Sequence, residues 1–420
     1  MISFDKLKAL IVGAGCQDGA MQRISVQQRR AMLARRQRLA GPAPTDVEDL
    51  VRSLVCLHAT DPASIYLSAW ARIPGFARAD LDRALYADRT VIKQLAMRRT
   101  LFVIDRDDLI DVQPAGAARV AGSESRKMIK MVEEAGVAAD GARWLRRASQ
   151  AVLKALSDGR EATSTELAAE LPILQGTVRA GSGKWSADVP ISPRILTILG
   201  AEGRVVRATN RGPWYTSRPR WASMESWLGQ SRLNQSWQPA DTATAHRRMV
   251  QRWLQSFGPG TAMDLKWWLG STVAAVNRSL AELDPVEVDL DGRPGYLLAD
   301  DLDQLTDDQP PEPWIALLPA LDPTPMGWTD RDWYLGDHKK LVYDTNGNAG
   351  PTIWCDGRIV GGWWQDPAGT VIVRLLEEIG SDAAAAVNAE AADLTDWLGG
   401  KVVMPRFPSP LAKLVGDQAP

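Results

Sequence analysis

The chain has 420 residues, with 49 Lys+Arg against 51 Asp+Glu, 45% hydrophobic and 24% charged residues. These are the proportions of an ordinary globular protein long enough for about two to four folding units. Cys16, Cys56 and Cys355 stand apart without Cys-x-x-Cys or Cys/His ligand spacing, which excludes a disulfide framework or a zinc site, and neither metal nor cofactor is expected. No apolar run reaches the roughly 18 residues of a membrane span, so the expected setting is a reducing cytoplasm with no membrane partner.

Residues 1–22 are expected to be a loosely attached N-terminal extension, with Met21 a candidate start. Their Gly13-Ala14-Gly15 mimics a dinucleotide loop, but the third glycine falls at Gly19 with Asp18 in its place. The apolar run before it is too short for a signal peptide.

From residue 23 the pattern predicts helices punctuated by hairpins. Ile24 to Arg38 reads as a basic helix carrying Arg29, Arg30, Arg35, Arg36 and Arg38. Thr45 and Glu48 form a capping box for a second helix, and Asp61-Pro62 places a cap and an N1 proline at the start of a third. Asp80 to Tyr86 is a fourth. Val91–Leu95 and Thr100–Ile104 alternate as a ribbon turning through Met97-Arg98-Arg99. Helices followed by a hairpin describe a winged helix.

The same order recurs twice. Ala148–Leu156, the helix opened by Thr163 and Glu166, and Pro193–Glu202 precede a wing whose strands are Val205-Val206 and Trp214–Thr216. Thr244–Phe257, Ala262–Trp268 and Thr272–Leu283 precede Val286–Leu290 and Tyr296–Leu298 across Asp291-Gly292-Arg293. After a proline-rich linker at 307–313 come short strands at Ile315–Leu318, Lys340–Tyr343, Thr352–Cys355, Arg358–Trp363 and Thr370–Leu375, then a helix from Asp382 to Leu398.

The fold expected is therefore α+β: three tandem winged-helix (helix-turn-helix) domains at 23–140, 141–238 and 239–305, followed at 306–420 by a small β-barrel-like domain with a C-terminal helix. The 17 tryptophans, Trp267, Trp268, Trp363 and Trp364 among them, are expected mainly as core.

Charge is segregated along the chain. Residues 141–260 hold 17 Lys+Arg against 8 Asp+Glu, and 281–340 hold 4 against 15. A basic stretch within winged helices points to double-stranded DNA as partner, because neutralised phosphates supply most sequence-independent affinity.

Several blocks carry a resemblance. His58-Ala59-Thr60-Asp61-Pro62, Met97-Arg98-Arg99-Thr100-Leu101 and Leu321-Asp322-Pro323-Thr324-Pro325-Met326-Gly327-Trp328 occur in that order. Asp330–Gly336 and Asp356-Gly357-Arg358-Ile359-Val360-Gly361-Gly362-Trp363 follow. Over roughly residues 23–415 the chain resembles the AlkZ-like winged-helix DNA glycosylases. The resemblance implies a DNA channel and removal of N7- or N3-alkylated purines, bulky or crosslinked adducts included, by a monofunctional, monomeric, nucleoid-associated hydrolase. The family signature resembles Gln-x-Gln-Asp-Pro, or Gln-x-Asp in a sister branch, and His58 and Thr60 occupy its two polar positions. The family's Arg-Gly-Thr-Leu-His block stands here as Arg98-Arg99-Thr100-Leu101-Phe102.

An N7-alkylated purine is already cationic, so its departure needs no protonation. The enzyme must place a water near C1′ and stabilise an oxocarbenium-like transition state. His58 is expected as base or water-positioning group, Thr60 as its orienting partner, and Asp61 as helix cap and secondary candidate for the sugar's developing charge. The alternative for His58 is a polar core residue, and for the whole chain a non-catalytic DNA-binding regulator or damage sensor. DNA contacts are expected from Arg98 and Arg99 at a hairpin tip, Lys184 in a glycine loop, Arg211 at a wing tip, Arg331, Lys339 and Lys340, and Asn346 and Asn348 in the next loop.

Overall fold

The computed structural model describes residues 21–181, 183, 186–229, 240–306, 312–406 and 408–412. Lys184 and linker residues 307–311 lie outside the described residues. Strands are numbered β1 to β14 in chain order.

β1 (Gln22–Arg23) adds in parallel to the edge of the later strand β9, Gln22 opposite Val288. Ser25 then caps the helix Val26–Arg36, accepting from the Gln28 backbone while Gln28 reaches back to the Ser25 N–H. The basic character of this helix is turned partly inward. Arg36 is buried, donates to the carbonyls of Leu254 and Gly258 at 2.8 Å each, and pairs with Asp301 at 2.9 Å. Arg29 lies 4.1 Å over the Trp333 ring.

The next cap falls one residue later than the sequence predicts. Asp46 is the N-cap of Val47–Ser53, accepting the Asp49 N–H at 2.7 Å, and Asp49 reaches back to the Thr45 N–H. The reason is that the Glu48 carboxylate accepts from Thr90 Oγ1 instead. The following helix likewise begins at Ser64 and ends at Trp70 rather than starting at Pro62. A helix Arg78–Asp82 continues as a π-helical turn over Arg83–Ala87.

β2 (Leu57–His58), β3 (Val91–Leu95) and β4 (Leu101–Asp105) form an antiparallel sheet in the order β2-β4-β3, with His58 opposite Phe102 and Lys93 opposite Val103. Alternation splits its side chains between two cores. Leu57, Val91, Leu101 and Val103 pack with Leu50, Ile65 and Leu81, whereas Ile92, Phe102 and Ile104 join the largest core, which runs from Leu33 to Ile359.

The middle of the chain contributes helices Ala118–Glu134, Gly141–Ala155, Ser164–Glu170 and Ile191–Ala201, the third opened by the expected Thr163–Glu166 capping box. A hairpin absent from the sequence reading, β5 (Thr177–Ala180) with β6 (Ala187–Pro190), precedes the last of these. The wing differs from expectation. β7 (Val205–Asn210) pairs with β8 (Pro219–Ser223), not with Trp214–Thr216. Trp214 is drawn instead against Tyr66 and Trp397, with ring centroids at 5.1 and 5.8 Å, and this aromatic packing lengthens the turn.

Helices Thr242–Phe257, Ala262–Leu269 and Val273–Leu283 are followed by β9 (Val286–Asp289) and β10 (Pro294–Leu297). The last sheet runs β11 (Ile315–Leu318), β12 (Thr352–Cys355), β13 (Arg358–Gln365), β14 (Val371–Leu375), each antiparallel to the next. The barrel expected here is not found: among the described residues β11 and β14 do not pair. The helix Ser381–Leu398 packs against both of these edge strands, burying Val387, Ala391 and Leu394, and so covers the apolar face that barrel closure would have covered. Lys340–Tyr343, expected as a strand, lies mostly in a short helix, Lys339–Val342. Asp344 draws the chain into a tight loop there by accepting the Asn346 and Asn348 N–H groups at 2.8 Å.

Candidate functional site

His58 ends β2 beside the largest core. Its ring meets Phe102 edge to face at 5.5 Å and it is 7% exposed. The Thr60 backbone N–H donates to His58 Nδ1 at 3.4 Å, which places the ring hydrogen on Nε2. Burial, with the Arg98 charge nearby, pushes the His58 pKa down to about 3, so the imidazole is neutral at neutral pH. A ring this hard to protonate is a poor proton acceptor and a good fixed donor from Nε2.

Asp61 is 4% exposed and both its oxygens are engaged. Oδ1 accepts the Ala63 N–H at 3.2 Å and Oδ2 the Arg406 N–H at 2.9 Å. Burial raises its pKa against the pull of those two N–H groups. It joins the chain after β2 to a segment near the C-terminus, each oxygen accepting one backbone N–H. Thr60 is half-buried, with its carbonyl 3.5 Å from Arg406 Nη1.

The hairpin between β3 and β4 brings Arg98 to the His58 side. Arg98 and Arg99 both adopt left-handed backbone, φ 55° and 60°. The Arg98 guanidinium lies 4.0 Å from the centroid of Trp267, and Arg331 lies 5.1 Å from that ring and 4.2 Å from Tyr343. Burial and the neighbouring Arg331 lower Arg98 to about 10, still charged at neutral pH, and its Nε has no hydrogen-bond partner among the described residues. Arg331 is 6% exposed and donates from Nε to the Trp328 carbonyl at 2.8 Å. Trp267, expected mainly as core, packs half-buried against the largest core and carries two guanidinium groups on its ring. A Cβ on Gly347 would come within 4.0 Å of Arg331 Nη1, so the loop carrying Asn346 and Asn348 borders this stack.

The other expected DNA residues fall into distinct settings. Lys339, Lys340 and Asn346 are exposed. Asn348 closes its own loop, donating from Nδ2 to Asp344 at 2.9 Å. Arg99 pairs with Glu124 at 3.2 Å and Arg211 with Glu166 at 3.3 Å, so each must exchange a carboxylate for a phosphate to touch DNA. Arg194, which the sequence reading did not single out, carries an unpartnered Nε and is affected by both Glu124 and Arg99.

The Leu321–Trp328 block is a clamp. Asp322 is fully buried and accepts from Arg72 Nη2 at 2.8 Å and from Ser68 Oγ at 2.6 Å. Thr324 donates to Gln37 at 3.1 Å, and Trp328 Nε1 to the Phe257 carbonyl at 3.1 Å. Among the described residues no group of three or more His, Cys, Asp and Glu side chains could hold a metal ion, and no helix is long and apolar enough to cross a membrane.

The site joins a neutral histidine and an arginine–tryptophan stack on a helix–hairpin frame, and comparison with known proteins gives the class. The chain belongs to the AlkZ-like DNA glycosylase family, whose model, described as DNA glycosylase AlkZ-like, matches residues 51–397. Among solved structures, the DNA glycosylase AlkZ of Streptomyces sahachiroi is similar in fold, with a TM-score of 0.69 at 20% identity over 92% of this chain and 99% of that one. No curated protein matches the chain in sequence.

Proposed function

We propose that the protein is a monofunctional glycosylase that hydrolyses the N-glycosidic bond of N7- or N3-alkylated purines in duplex DNA, bulky and crosslinked adducts included. In this reading 23–140, 141–238 and 239–305 act as three winged-helix units along the duplex. The observation that carries the proposal is the neutral His58 beside the Arg98–Trp267–Arg331 stack. An alkylpurine leaves without protonation, so the protein's part is positional. The C1′–N bond breaks with its electron pair leaving on the cationic purine, which departs neutral; the water, held by His58 Nε2–H and the Thr60 hydroxyl, bonds to C1′ and releases one proton to solvent. Trp267 holds the Arg98 and Arg331 guanidiniums at the edge of the site. Arg98, Lys339, Lys340 and Asn346 engage phosphates, buried Arg331 backs Trp267, and Asp61 fixes the end of β2.

The geometry favours water orientation over general-base catalysis, because Nδ1 already accepts the Thr60 N–H. The low exposure of His58 supports a second reading, a damage sensor that binds without cutting. Duplexes carrying N7-methylguanine, a bulky N7 adduct or a crosslink, followed by alkali cleavage, separate the two. Abasic sites on at least one lesion are expected. Tight binding with no base release on any of them would establish the sensor.

A further inference from the structure

The sheet that carries His58 has a second face. On it, Lys93 and Val91 stand with Val103, turned away from Phe102 and His58. A cavity of about 560 Å³ opens there between the first segment and β7, with Lys93, Tyr86, Arg207 and Trp214 in its wall. Asp82 is the one carboxylate among the described wall residues, and it accepts the Tyr66 hydroxyl at 2.6 Å. Lys93 Nζ donates to Tyr86 Oη at 2.7 Å. Among the described residues neither Lys93 nor Arg207 has a carboxylate at ion-pair distance; the Arg207 guanidinium lies 5.3 Å over the Trp221 ring, with its Nε buried and unbonded. Burial and the Arg207 charge hold Lys93 down to about 8, and burial with Arg406 nearby holds Arg207 to about 10. Two partly desolvated cations line one cavity in which Asp82, held by Tyr66 and beyond ion-pair distance of both, is the one described carboxylate, so the wall carries an excess of positive charge.

We propose that this cavity is a phosphate-binding site, separate from the His58 site, in which Lys93 and Arg207 hold the anion and Tyr86 and Trp214 flank the attached nucleoside. Its volume suits a mononucleotide. Because the β-sheet separates it from His58, the phosphate held here is not that of the nucleotide being hydrolysed. The phosphate comes either from a duplex phosphodiester or from a free nucleotide, and the duplex source rests on the glycosylase reading.

The test measures dAMP and inorganic phosphate binding by calorimetry, and duplex affinity across a salt series, for wild type, Lys93→Met, Lys93→Arg and Arg207→Gln. Thermal unfolding reports which variants fold, and one folded variant of either cation suffices for the test. Expected is a loss of about tenfold or more in Lys93→Met, largely restored in Lys93→Arg, in one of two forms. Loss of dAMP binding with an unchanged duplex salt slope assigns a free nucleotide. A salt slope smaller by about one assigns a phosphodiester. No phosphate or dAMP binding together with an unchanged slope in the folded variants overturns the site. A protein inactive on every lesion that still loses dAMP binding in Lys93→Met would overturn the glycosylase reading and leave this one standing.

Discussion

The Thr60 backbone N–H donates to His58 Nδ1, and that bond decides which hydrogen the imidazole can offer. With Nδ1 occupied and the ring neutral, only Nε2–H faces outward chemistry. Nitrogen-detected NMR of the histidines should show His58 as the Nε2–H tautomer, with no titration above about pH 5. A ring that titrates near 6.5 would contradict the burial and Arg98 proximity that hold it near 3.

Stability follows from the same depression. The unfolded chain protonates His58 first as pH falls, so this contribution is fully present above about 6.5 and is lost toward about 3. Melting temperature should therefore fall more steeply between pH 6.5 and 4 in wild type than in His58→Gln. Parallel curves would mean that His58 is not desolvated.

Arg72→Met tests the clamp. The Arg72–Asp322 pair is 0% exposed on both sides, and removing the guanidinium strands a buried carboxylate. A loss of about 3–5 kcal/mol is expected in urea unfolding. The double change to Met and Leu should recover much of it, because neither charge then remains.

Gly270→Ala should disturb Arg98 from behind. Gly270 has φ +61°, and a Cβ there would fall 3.1 Å from Arg98 Cγ. A cost of about 1 kcal/mol is expected from the backbone alone, with weaker duplex binding as Arg98 moves off Trp267. Unchanged binding would show that the stack does not meet DNA.

Lys339→Ala, Lys340→Ala and Asn346→Ala should weaken duplex binding, and each lysine should lower the salt slope by about one. Arg99→Ala and Arg211→Ala should do less, because each arginine already faces a carboxylate. Equal slopes for all four cationic variants would put the paired and unpaired sites on one footing and contradict this ranking.

What the sequence makes legible is local. The turn at Met97–Arg99, the Thr163–Glu166 box and the Asp356-Gly357 turn, with φ 47° and 81°, follow from residues within a few positions of one another. Trp214 leaves the wing because Tyr66 and Trp397, far away in sequence, receive its ring. Lys339–Val342 is a helix because Asp344 closes the next loop so tightly. The same limit applies at the candidate site. His58, Arg98 and Arg331 stand out singly, but the stack on Trp267 exists only once three distant segments meet. Arg29 and Arg36 look like a basic surface until their buried partners are known.

Single-turnover base release from an N7-alkylguanine duplex, with enzyme saturating, tests the central claim most directly. Wild type should release base, and His58→Ala and Thr60→Ala should each slow the plateau-normalised rate by about 10²-fold without weakening binding. His58→Gln, which retains a side-chain N–H donor, should recover most of the rate. A His58→Ala rate equal to wild type would contradict the account.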